Sequence, residues 1–183
     1  MVQIDLIEVF KTGVFHNLKV GATKDWMKNN FPKPDYIVEE NFWKYGNMDF
    51  FFDEDKLIEI CFRSLEPLKG GKSFDINNWI LSESKDLSLE FIISKLLSEK
   101  LDFSVLNTKV QEVLQVSIGL PKSSIYLIFQ EDDPDDEEVS ISHASKPIEG
   151  DRKEFKLVGF SILENLVAFH KLLQTKNGLQ HRL

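Results

Sequence analysis

The spacing of apolar residues changes several times along the first third of the chain. In residues 2–15, Val2, Leu6, Val9, Phe10 and Val14 recur at intervals of three and four, which predicts an amphipathic helix interrupted near its end by Gly13. Thr23 can cap a second helix over 24–30, with Asp25 placed against the positive end of its dipole, and Pro32 and Pro34 stop it. Over 36–45 the β-formers Tyr, Ile, Val, Phe and Trp dominate. Gly46-Asn47 turns the chain into 48–52, and Asp53-Glu-Asp-Lys turns it again into 57–62. The expected unit is a short helix followed by a three-stranded meander. Strict alternation assigns Met48, Phe50 and Phe52, with Ile58, Ile60 and Phe62, to the face that meets the helix. The opposite face then carries Asp49, Phe51, Leu57, Glu59 and Cys61 and, with Val38 and Phe42 pointing inward, Trp43 and Tyr45 as well.

The same order of signals recurs further on. Residues 63–87, with Pro67, Gly70-Gly71 and polar residues around Trp79-Ile80-Leu81, read as a connector with one buried anchor. Ser88 then stands where Thr23 stood, followed by a helix over 89–99 whose apolar positions are Ile92, Leu96 and Leu97. Strand follows over 103–106, 110–118, 124–130 and 155–160. Ile125, Leu127 and Phe129 repeat the roles of Met48, Phe50 and Phe52. The last turn of this second unit is expanded into an excursion over 131–153. Ser161-Ile-Leu-Glu164 has the form of a capping box, so a C-terminal helix is expected from 162 to about 175, with an apolar stripe of Leu163, Leu166, Val167, His170 and Leu173. The predicted fold class is α+β. One domain, 1–183, holds two helix-plus-antiparallel-meander repeats (about 1–64 and 88–162) that share one sheet with helices packed on it, joined by connector 65–87 and followed by the helix 162–175.

Leu18-Lys-Val-Gly-Ala-Thr-Lys-Asp-Trp, Pro34-Asp35 and Tyr45-Gly-Asn-Met-Asp-Phe-Phe-Phe-Asp-Glu-Asp-Lys-Leu57 resemble the helix-then-meander repeat of the β-lactamase inhibitor protein and of the small outer-membrane lipoproteins built on the same α/β unit. The resemblance covers residues 18–62 by motif and 88–160 by pattern. It implies a tandem two-layer fold whose helices cover one sheet face, leaving the other to grip a protein through aromatic side chains. Two positions depart from the family pattern. Phe31-Pro32 replaces the glycine that ends the unit's helix, and no lipobox cysteine stands near the start, which removes the envelope-lipoprotein role.

Composition narrows the function more by exclusion than by motif. The 15 phenylalanines provide ample material for one core. The net charge of −8 is concentrated: Glu131-Asp-Asp-Pro-Asp-Asp-Glu-Glu138 supplies seven negative charges, leaving −1 for the rest. Scattered Lys and Arg argue against nucleic acid. The absence of a leader-like start or a membrane-length apolar run leads to the expectation of a cytoplasmic protein that does not engage a membrane. Cys61 is the single cysteine and reads as a packed hydrophobe. His16, His143, His170 and His181 lie at no metal-ligand spacing and beside no nucleophile motif, the acidic run lacks the glycine of a calcium loop, and no phosphate loop is present. No catalytic residue, cofactor or metal is expected. Trp43, Tyr45, Phe51 and Tyr126 are the candidate partner-binding aromatics. Asp132, Asp133, Asp135 and Asp136 are candidates for steering a basic protein partner. The resulting expectation is a non-enzymatic protein-binding module of inhibitor or immunity type. A small-ligand protein or enzyme with a site between the repeats, and a self-associating structural domain, stay open as alternatives.

Overall fold

The computed structural model describes residues 1–62, 68–82, 87–110, 113–131 and 155–164. Among these residues eight strands form one antiparallel sheet, and three α-helices accompany it: α1 (Leu6–Thr12), α2 (Lys24–Asn30) and α3 (Leu89–Ser98). The chain is therefore α+β. Among the described residues no helix is long and apolar enough to cross a membrane.

The start of the chain departs from the helical expectation. Residues Val2–Asp5 form β1, which pairs in parallel with β6 (Phe74–Asn77) as a separate two-stranded sheet, and only then does α1 begin. Asp5 caps α1 by accepting from the Ile7 amide, and Gly13 closes it at φ 69°. The three-and-four spacing of Leu6, Val9 and Phe10 was helical, but Val2 and Ile4 alternate because their partner lies some seventy residues away, beyond the reach of a local pattern. The connector 65–87 is likewise more structured than expected. It carries β6 and a 3₁₀ turn (Trp79–Ser82), and Leu68, Phe74, Ile76, Ile80, Leu81 and Leu87 are all buried.

Helix α2 forms as expected, with Thr23 Oγ1 accepting from the Trp26 amide, and Ser88 caps α3 in the same way through the Phe91 amide. Leu97, however, faces solvent rather than the core. Residues 36–45 make two strands, not one: β2 (Tyr36–Glu39) and β3 (Phe42–Tyr45), reversed at Glu40-Asn41. The meander continues with β4 (Met48–Asp53) and β5 (Lys56–Phe62), and the second half contributes β7 (Ser104–Val110), β8 (Val113–Leu120), β9 (Ile125–Glu131) and β10 (Phe155–Leu163). The order across the sheet is β2-β3-β4-β5-β10-β9-β8-β7, so β2 and β7 are its edges.

The registers of the two halves can be compared strand by strand. At the centre Cys61 faces Ser161, flanked by Phe62 with Phe160 and Ile60 with Ile162. One strand outward, Asp49 faces Cys61 on one side and Tyr126 faces Ser161 on the other. Both inner strands carry a bulge at the same place: Phe51 and Phe52 oppose Glu59 and Leu57, leaving Ile58 extra, while Ile128 and Phe129 oppose Gly159 and Leu157, leaving Val158 extra. Isolated bridges join Thr23 to Lys56 and Ser88 to Lys156.

The bulge corrects the alternation. Ile58 is the bulged residue, so the phase resets and Leu57 turns fully into the core together with Ile60 and Phe62. The expected capping box at Ser161 is also replaced. Ser161–Leu163 continue β10, and the Ser161 hydroxyl donates to Glu59 Oε1 at 2.6 Å rather than capping a helix. The remainder of the predicted C-terminal helix, including His170, lies outside the described residues. The core itself is the sheet face bearing Phe50, Phe52, Leu57, Leu127 and Phe129, closed by Leu6, Val9 and Phe10 of α1, Met27 of α2, and Ile92 and Leu96 of α3.

Candidate protein-binding surface

The four aromatic residues expected on an open face part company in the structure. A two-residue turn with Gly46 at φ 59° sets Tyr45 opposite Met48 and Trp43 opposite Phe50. Cross-strand partners share a face. Since Met48 and Phe50 point inward, Trp43 and Tyr45 must do so too, and they are 4% and 0% exposed. They are core residues, and their assignment to the outer face is corrected. The physical signal was available in the sequence: a two-residue turn together with an inward Met48 determines the side on which Tyr45 lies.

Phe51 does lie on the outer face, half-buried, with its ring stacked on Phe42 at 4.8 Å and 8°. Lys44 Nζ stands 5.4 Å over the Phe42 ring and 3.2 Å from Asp49 Oδ1, an ion pair out of line for a hydrogen bond. Tyr126 shares this outer face but is only 4% exposed, and its hydroxyl donates to Ser117 Oγ at 2.5 Å. The outer face over β5, β10 and β8 is closed as well: Cys61, Ser161 and Ser117 are buried. The acidic residues Asp132, Asp133, Asp135 and Asp136 lie outside the described residues.

Tyr45 is further tied down by the loop that follows α2. Its hydroxyl donates to the Pro32 carbonyl at 2.8 Å, and burial, reinforced by the Asp35 carboxylate, pushes its pKa well above the ordinary tyrosine value. Burial also raises Tyr126, offset in part because its phenolate would accept from Ser117. Both folded-state values exceed the unfolded one, so their contribution to stability is complete below about pH 10 and is lost as pH rises above it. In a spectrophotometric titration two of the three tyrosines are expected to ionise late, with unfolding. Tyr45→Phe and Tyr126→Phe should each remove one late component; two phenols titrating at the ordinary value in the folded protein would contradict this.

The surface that sequence reasoning missed is the sheet edge. All four residues of β2 are exposed, with Tyr36 at 67%, Ile37 at 62% and Val38 at 52%. An edge strand presents unpaired backbone N–H and C=O groups at alternate residues, and natural edges usually carry charge or proline to prevent pairing. Here three consecutive exposed apolar residues lie on that edge. Hydropathy marked these residues as strand, but only the sheet order shows that no described strand pairs beyond them. Among the described residues, a void of about 10 Å³ lined by Leu6, Val9, Met48, Ile60, Phe160 and Ile162 has no polar lining and no room beyond about one water. Among the described residues no three of His, Cys, Asp or Glu converge closely enough to hold a metal ion. No family model matches the sequence, and no curated protein or solved structure matches the chain.

Proposed function

We propose that this chain is a non-enzymatic protein-binding module that presents the edge of its large sheet to a protein partner. The observation that carries the reading is the exposed apolar edge strand Tyr36–Glu39, a form of surface used for adding a strand from another chain. An inhibitor- or immunity-type role fits an acidic chain of net charge −8 that would attract a basic protein, with the run 131–138 as a steering element. We further infer that the module is a tandem repeat. The matching bulges at Leu57–Glu59 and Leu157–Gly159, the equivalent bridges from Thr23 and Ser88, and a pseudo-twofold passing between Cys61 and Ser161 all support duplication of one helix-meander unit. A cytoplasmic setting is consistent with a single, buried cysteine.

The test is site-specific photocrosslinking in native cell extract, with the photoreactive residue placed at Ile37 in one sample and at the exposed Leu97 in another. A discrete protein adduct is expected from Ile37 and not from Leu97. Adducts from neither position, together with an unshifted elution volume in the same extract, would remove the protein-binding reading. An adduct of twice the chain mass would favour the self-associating alternative.

A further inference from the structure

We infer that the occupant of the β2 edge is an extended segment of a basic protein, adding as a ninth strand with its Lys or Arg residues at the end nearest Glu39 and Glu40. This rests on the protein-binding reading above and deepens it by naming the partner's chemistry.

The argument begins with what lies at the end of the edge. Strand β2 runs into the Glu40-Asn41 turn, and this turn is held against the β4–β5 turn by Lys24. The Lys24 ammonium is buried and donates to Asn41 Oδ1 at 2.7 Å and to the Glu54 carbonyl at 2.5 Å, and it lies 5.4 Å over the Phe52 ring. The Phe52 amide also donates to the Asn41 carbonyl at 3.0 Å. These contacts bring Glu39, Glu40, Asp53, Glu54 and Asp55 to one rim, all exposed. The cations beside that turn are the exposed Lys56 and the buried Lys24, whose hydrogen bonds go to neutral oxygens, so the five carboxylates still outnumber the two ammonium groups. At the other end of β2, Lys33 is exposed, while Asp35 accepts from the Gly46 and Lys72 amides at 2.7 and 3.1 Å. The edge is thus apolar along its length and acidic at one end.

A second copy of the chain fits this edge poorly. Antiparallel pairing about a twofold centred on Ile37 sets Glu39 opposite Asp35 of the other copy. Centring on Tyr36 sets Val38 opposite Pro34, which has no amide to donate, and centring on Val38 sets Ile37 opposite Glu39. Each copy also carries a charge of −8. A basic strand meets none of these penalties. Its backbone pairs with β2, its apolar side chains lie beside Tyr36, Ile37 and Val38, and its cations meet the rim.

The probes are fluorescent nine-residue peptides of alternating Val and Thr, carrying two Lys at the N-terminus, two Lys at the C-terminus, or two Glu at either end, titrated against the full chain by anisotropy. At low salt the better Lys peptide is expected to bind about fivefold more tightly than its Glu counterpart, and the gap should narrow at 0.5 M NaCl. Whether the N- or C-terminal Lys is preferred reports an antiparallel or a parallel ninth strand. Glu39→Lys with Glu40→Lys should reverse the preference, and Val38→Pro should abolish binding; proline is tolerated at the bulge between Ile37 and Glu39, and unchanged circular dichroism checks folding. Equal binding of Lys and Glu peptides, or binding unaffected by Val38→Pro, would overturn the inference, as would a dimer formed through β2 without peptide. If the Ile37 crosslink persists while the charge preference is absent, the basic-strand inference fails and the protein-binding reading stands.

Discussion

Phe50→Ala is expected to destabilise the fold by about 3–5 kcal/mol, the range found when a buried aromatic is truncated and its site cannot collapse. Phe50 is fully buried at the middle of β4, flanked across the sheet by Trp43 and Ile60. Its ring centroid lies 4.6 Å from Tyr45, 6.2 Å from Phe15 and 6.3 Å from Phe31. These neighbours come from the α1–α2 connection, the end of α2 and strand β3, and all three also pack on Phe74, so one truncation opens a cluster shared by several elements. Against a total stability of roughly 5–15 kcal/mol, the loss should bring the urea midpoint down steeply. Phe50→Leu should cost clearly less, because it keeps most of the volume. A midpoint shift for Phe50→Ala equivalent to under about 1 kcal/mol would show that the ring is not central to the core.

Gly71→Ala should produce a loss of about 3 kcal/mol for a different reason. Gly71 sits at φ 62°, and a Cβ there would overlap Asp35 Oδ2 and lie 2.7 Å from the Gly46 amide nitrogen. Left-handed backbone costs an alanine about 1 kcal/mol. The clash adds more, because the displaced carboxylate is the acceptor for the Gly46 and Lys72 amides, and each amide left without a partner costs about 1–3 kcal/mol where water cannot replace it. Asp35→Ala removes the same acceptor without the clash, so the two substitutions damage one junction. Their double variant should therefore be less destabilised than the two single losses added together. Full additivity in chemical denaturation would show that Asp35 and Gly71 act independently.

That junction also shows where sequence reading reached its limit. Gly70-Gly71 read as a linker because paired glycines are turn signals, and the same residues serve here as a close-packed contact. Asn47 and Lys69 exchange two hydrogen bonds across it, at 2.8 and 3.1 Å. A glycine chosen for flexibility and one chosen for proximity look identical until the other chain segment is in place. Trp43 and Tyr45 illustrate a different failure. Their orientation was legible from the two-residue turn at Gly46-Asn47, but an assumed inward Phe42 set the phase of β3 wrongly and turned two core aromatics into a supposed surface. Ile58 shows a third: a bulge inserts one residue into an alternating pattern, and no residue type announces it.

Capping chemistry and hydrophobic alternation by themselves determined α2, α3, strands β4, β5 and β9, and the α+β class, because Thr23, Ser88 and the Phe-rich runs act on neighbours a few residues away. Tertiary structure decided what depends on distant partners. It paired β1 with β6, joined the halves of the sheet through Cys61 and Ser161, and left β2 as an unpaired edge beside an acidic rim. A strand's own residues specify that it is a strand; whether both of its sides are occupied depends on segments far along the chain, and the candidate binding surface lies in that second kind of information.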